Sequence, residues 1–162
     1  MKKFVTYLAG FLAIASLSAQ EKPLPSLYGT GVWDADSLGN HRVVVSVDKA
    51  GDAVLATMNW RRRDLNPEEK NLIVVDAKTG KRVTNVVRFT VNREKGEVVF
   101  QPQTVPGNYY IYYLKNVSSG SKYYPTVTYP AFEETADAEW LKANKLNGKR
   151  APKLPQAEIE QY

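Results

Sequence analysis

From His41 to Tyr129 the chain is a succession of short runs of valine, isoleucine, threonine and aromatic residues, each closed by a turn signal. Such spacing suits a sandwich or barrel of antiparallel strands better than a series of parallel strands with crossover helices. Seven strands are predicted, over residues 41–48, 53–61, 71–76, 81–92, 97–101, 108–115 and 123–129. In the first, Val43, Val45 and Val47 share a face; in the second, Val54, Ala56, Met58 and Trp60 point inward, while Thr57, Asn59 and Arg61 point outward. The turn Lys49-Ala50-Gly51-Asp52 joins these two as a predicted hairpin, and Glu94-Lys95-Gly96 closes a second.

The run Asn108–Lys115, NYYIYYLK, is apolar on both faces and suits a central strand covered from two sides. Pro125 and Pro130 mark the last run as an edge. One short helix is predicted over residues 135–145, capped by Thr135, with Ala136, Trp140 and Ala143 on one face. The fold expected is all-β, an antiparallel sandwich of about seven strands, immunoglobulin-like or jelly-roll-like, with one short C-terminal helix.

Residues 1–19 read as a secretory signal peptide: Lys2 and Lys3, an apolar run from Phe4 to Leu17, then small residues before a cut after Ala19. Residues 20–26 are an extended lead-in, 27–146 the sandwich, and 147–162, rich in proline and charge, a linker toward a downstream domain. The expected location is therefore the periplasm or the cell exterior, with no membrane association after cleavage. The chain has no cysteine, which removes disulfides, thiolate metal sites, cysteine nucleophiles and a lipid-modified N-terminal cysteine. Its net charge of +5 includes Lys2 and Lys3; without them 20 basic residues face 17 acidic ones. That bias is too weak to argue for a nucleic-acid partner.

Catalytic signatures are sparse. His41 is the single histidine, and neither a nucleophile elbow, a phosphate loop nor a dinucleotide fingerprint occurs. Asp34-Ala35-Asp36-Ser37-Leu38-Gly39 resembles a calcium loop only faintly, because Leu38 and Val45 stand where ligands belong; a tight turn capped by aspartates is expected. No catalytic, cofactor-binding or metal-binding residue is assigned.

Two groups of residues remain. Strand parity sends Tyr109 and Tyr113 to one face and Tyr110 and Tyr112 to the other, so core and cross-strand packing is the preferred use; sugar stacking on Tyr110 and Tyr112 is the alternative. In Asn59-Trp60-Arg61-Arg62-Arg63-Asp64, the same parity divides the arginines. Arg62 is expected to lie nearer the core than Arg61, paired with a carboxylate such as Asp64 and stacked on Trp60, because an unpaired buried guanidinium is costly. Arg61 or Arg63 is left for solvent or a neighbouring domain. Trp33, Trp60, Arg61, Arg62, Arg63 and Asp64 are thus candidate structural or interdomain contacts.

The segments WDADSLGNHRVVV, NWRRRD, VVDAKTGKRVTNV, PGNYYIYYL and YPTVTYPAFEETADAEWL, in that order, resemble the N-terminal β-sandwich domain of bacterial proteins similar to glycoside hydrolase family 123. The resemblance spans residues 27–141 and implies an accessory domain ahead of a catalytic barrel. That barrel would cleave N-acetylgalactosamine-type linkages with an acidic pair and the substrate's acetamido group. None of the five segments carries a catalytic residue over. The implied partner is the downstream barrel of the same polypeptide, with glycan as a further candidate. A stand-alone carbohydrate-binding or adhesion module is the alternative reading.

Overall fold

The computed structural model describes residues 31–162; the expected signal peptide, the lead-in and the first residues of the expected sandwich lie outside the described residues. In chain order the elements are α1 (Ala35–Leu38), β1 (Arg42–Val47), β2 (Val54–Asn59), a 3-10 turn (Pro67–Glu69), β3 (Leu72–Asp76), β4 (Val86–Val91), β5 (Lys95–Phe100), β6 (Gly107–Tyr113), β7 (Val117–Gly120), β8 (Pro125–Thr128), α2 (Ala138–Ala143) and β9 (Glu158–Gln161). They form an antiparallel sheet of order β3-β6-β1-β9, a second of order β2-β5-β4, and a separate β7-β8 ribbon.

Alternation builds the core between the two larger sheets. Val43, Val45 and Val47 of β1, Ala56 and Met58 of β2, Leu72 and Val74 of β3, Phe100 of β5, and Tyr109 and Ile111 of β6 are all buried there. Phe100 and Tyr109 meet with ring centroids 4.9 Å apart. Apolar burial of this kind stabilises by about 25 cal/mol per Å² removed from water. β6 lies between β3 and β1, as its two apolar faces anticipated.

The helix also docks, though two residues later than its expected cap. Asp137, rather than Thr135, caps it, its Oδ1 accepting from Glu139 N and Trp140 N at 2.9 Å each. Trp140 then covers the outer face of β2 and β5 together with Ala53, Leu55, Val99 and Leu146. Its Nε1 donates to Asp52 O at 2.9 Å.

Three expectations need correction. β1 and β2 do not form a hairpin: β1 pairs with β6 and β9, and β2 pairs with β5. The turn after β1 carries the chain from one sheet to the other, which an inward apolar face on both strands permits equally well. The β4–β5 hairpin does form, with Asn92 Oδ1 accepting from Glu94 N and Lys95 N at its turn.

Secondly, residues 147–162 are not a linker. Leu146 is buried, Leu154 packs beneath α2, Ala157 is buried, and β9 extends the four-stranded sheet beside β1. Finally, β7 was not anticipated, so the expected edge strand pairs with it and joins neither larger sheet.

α1 is the expected aspartate-capped turn: Asp34 Oδ1 accepts from Asp36 N at 3.0 Å and Asp34 Oδ2 from Ser37 Oγ at 2.5 Å.

Candidate functional site

Trp60, Arg62 and Asp64 gather at the end of the sandwich where β2 and β6 finish. Beyond β2 the backbone continues along the β4–β5 turn, Trp60 N donating to Glu94 O at 3.0 Å and Arg62 N to Arg93 O at 2.8 Å. Burial keeps alternating past Asn59, although the partner register slips by one residue between Trp60 and Arg62. Trp60 turns inward, 7% exposed, while Arg61 and Arg63 are exposed and Arg62 is half-buried. The indole packs on Gly96, where an added Cβ would stand 2.7 Å from Trp60 Cζ2. Its Nε1 donates to Asn92 O at 2.8 Å.

Asp64 is the hub. Arg62 Nε donates to its Oδ2 at 3.2 Å and the Tyr113 hydroxyl to the same oxygen at 3.1 Å; Lys70 Nζ stands 3.6 Å from Oδ1. Lys70, whose side chain is 3% exposed, also donates to Asn116 Oδ1 at 2.8 Å and Leu114 O at 3.2 Å. The expected ion pair of Arg62 with Asp64 is therefore present. Its stacking partner is different: the Arg62 guanidinium lies 4.1 Å over the ring of Tyr113, not over Trp60. Trp60 is occupied edge-on by Tyr113 and His41, at 5.2 and 6.3 Å.

The electrostatics follow from this packing. Burial alone would raise the Asp64 carboxyl, but Arg62, the Tyr113 hydroxyl and Lys70 together hold it below the usual carboxylate range. Burial pushes the Tyr113 hydroxyl up, and the Asp64 charge adds to the rise. Burial pushes the Lys70 ammonium down against the pull of Asp64. Burial also lowers His41 to about 4, with the Arg62 charge contributing, so the imidazole is neutral at neutral pH. Its Nε2 is buried and has no hydrogen-bond partner among the described residues.

Lys70, Tyr113, Lys115 and Asn116 join Arg62 and Asp64 around an open pocket of about 370 Å³. A general acid for glycoside chemistry requires a carboxyl raised toward neutrality; Asp64 is shifted the other way and held by two hydrogen bonds and the nearby Lys70 ammonium. Among the described residues no group of three or more His, Cys, Asp or Glu side chains is placed to hold a metal ion. The chemistry available here is that of a brace, a carboxylate joining the segment after β2, the segment before β3 and the end of β6.

Sequence reasoning found Arg62 and Asp64 by parity but missed Lys70 and Tyr113 as their partners. Tyr113 was legible only as sharing a face with Tyr109, because the run around it is apolar on both sides. Lys70, in a polar loop, gave no periodic signal.

The other candidates lie apart from the brace, on the outer face of the four-stranded sheet. There the Arg42 guanidinium sits between Trp33 and Tyr110, 4.4 and 4.3 Å from their ring centroids, and Tyr112 contacts both Trp33 and Tyr110 edge-on. Trp33 Nε1 donates to Gly39 O at 2.8 Å. Tyr112 is only 5% exposed and Arg42 occupies one face of Tyr110, so these rings are engaged in packing. Tyr109 and Tyr113 share one face, as parity predicts, and the structure makes it the core side.

No helix among the described residues is long and apolar enough to cross a membrane. Neither the curated proteins nor the solved structures provide a significant match to the chain. Among the protein families, the glycoside hydrolase 123 N-terminal domain matches over residues 31–162, a span that takes in both larger sheets, α2 and β9. The β-sandwich that carries the Asp64 brace at one end therefore belongs to the glycoside hydrolase 123 N-terminal domain family.

Proposed function

We propose that this domain is the non-catalytic module of a secreted glycoside hydrolase, carried ahead of a barrel that cleaves N-acetylgalactosamine-type linkages, and that it packs against that barrel and positions it. The family match over residues 31–162 carries this reading. The state of the titratable groups supports it: Asp64 is ion-paired, Tyr113 donates to it, and His41 is enclosed by aromatic rings. None of the three is poised to exchange a proton with a substrate near neutral pH. Sugar binding by Tyr110 and Tyr112 has little support, given how their rings are used.

The reading frame beyond Tyr162 tests the proposal. A frame that continues into a barrel, and a two-domain polypeptide that hydrolyses aryl N-acetylgalactosaminides with activity residing in the barrel, is the expected result. A frame that closes without a catalytic domain, or activity unaffected in rate and stability by removal of residues 31–162, would contradict it.

A further inference from the structure

The β7–β8 ribbon is the one strand pair among the described residues that joins neither larger sheet. All four residues of β7 are exposed, and so are three of the four in β8. At its tip Tyr123 and Tyr124 are 87% and 85% exposed, and Val117 at its base is 59% exposed. A lone two-stranded ribbon is marginally stable in water. Two adjacent, almost fully exposed tyrosines are also unlike the scattered single apolar residues of an ordinary surface.

Where the ribbon rises is informative. It leaves β6 immediately after Tyr113, through Asn116, which accepts from Lys70. It returns at Tyr129, whose hydroxyl accepts from Asn66 N at 3.5 Å and whose ring lies 5.3 Å from Lys70 Nζ. Both legs are thus fixed to the Asp64 brace, next to Leu65, itself 70% exposed. β9 runs toward this same end of the sandwich, because Glu158 pairs with Ser46 and Gln161 with Val44, nearer the start of β1. Tyr162 reaches Asn59, its hydroxyl accepting from Asn59 N at 3.4 Å. A catalytic domain following Tyr162 would therefore join the sandwich at this end.

We infer that the β7–β8 ribbon is the docking arm of this domain, and that Tyr123 and Tyr124 seat in an apolar groove of the catalytic domain that follows in the same polypeptide. The inference rests on the accessory-module reading and names its contact surface. Aromatic side chains bury about 150–250 Å² each. Two of them would supply a large part of the smallest interdomain interfaces, which begin near 600 Å² in total. Leu65 and Val117 add apolar surface at the base, and the exposed Arg61 and Arg63 stand on the same end as a polar rim. A protein partner is favoured over a sugar because Leu65 and Val117 extend the exposed apolar surface at the base of the ribbon, while the polar pocket nearby is already braced by its own ion pairs.

Amide hydrogen exchange on the two-domain polypeptide and on the 162-residue chain tests this. Exchange across residues 117–128 is expected to be at least about tenfold slower in the two-domain polypeptide, with β1 and β6 unchanged. Y123S/Y124S in the two-domain polypeptide is expected to abolish that slowing while β1 and β6 keep their protection, which separates lost docking from lost folding. Equal exchange in both polypeptides would overturn the inference, as would a variant that keeps the slowing. Slowing in the chain alone on adding an N-acetylgalactosamine oligosaccharide would overturn it in favour of a sugar-binding tip. Each of these results leaves the accessory-module reading intact; a gene without a catalytic domain would remove both.

Discussion

Replacing Asp64 by alanine strips the brace of its only carboxylate and leaves Arg62 and Lys70 beside Tyr113 without a counter-charge. Removing one partner of a fully buried ion pair costs about 3–5 kcal/mol. Here the side chains of Arg62 and Asp64 are 19% and 17% exposed, so solvent screens part of that loss, whereas Lys70 at 3% is not screened. A destabilisation of about 2–4 kcal/mol is expected for D64A. For a domain of this size 1 kcal/mol corresponds to roughly 3–5 °C, so Tm should fall by about 6–20 °C. D64N keeps the shape and an acceptor for the Tyr113 hydroxyl, and should fall between the parent and D64A. Urea and thermal melts followed by tryptophan fluorescence give both numbers, because Trp60 packs directly on Tyr113. In a double-mutant cycle, R62A and D64A should couple by at least about 1 kcal/mol. A D64A protein within about 0.5 kcal/mol of the parent would refute the brace, since that is the range of an ordinary surface substitution.

Further outcomes follow from the same geometry. Because the folded-state pKa of Asp64 is depressed, its contribution is present above the unfolded value near 4 and is lost as pH falls through the folded value; acid melts of D64N should be correspondingly flatter there than those of the parent. His41 titrates in the folded protein at about 4 against about 6.5 unfolded, so the unfolded chain takes up its proton first and stability declines as pH drops across that window. An imidazole resonance moving with a pKa near 6.5 in the folded protein would contradict this. G96A drives a methyl group into Trp60 and should cost about 1–3 kcal/mol with a changed indole emission; unchanged melts would disprove the close packing. W140A removes the ring that covers β2 and β5 together with its bond to Asp52, and should cost about 3–5 kcal/mol by chemical denaturation.

Much of the sandwich was legible because its strands obey simple alternation. β1, β2 and β6 each carry an inward apolar face, and the β4–β5 hairpin announces itself by its turn. The elements that escaped lack that signal. β9 is Glu-Ile-Glu-Gln, in which Ile159 alone packs on the core; what holds it is backbone pairing with β1, to which composition is blind. β7 is Val-Ser-Ser-Gly and has no buried face to betray it.

Pairing was harder to read than existence. An inward-facing strand after a short turn can return to its own sheet or cross to the opposite one, and β2 crosses. At the brace, parity identified Arg62 and placed Asp64 on the same side. The third dimension supplied the rest, since Lys70 and Tyr113 converge on Asp64 from segments far apart in the chain.

The claim that this domain supports catalysis without performing it meets its most direct test in a single assay, the release of chromophore from aryl N-acetylgalactosaminides by the purified chain. No release above the uncatalysed rate is expected, at any pH at which the fold persists. Saturable turnover that disappears in D64N would contradict the account, because it would make the central carboxylate of the brace a catalytic group.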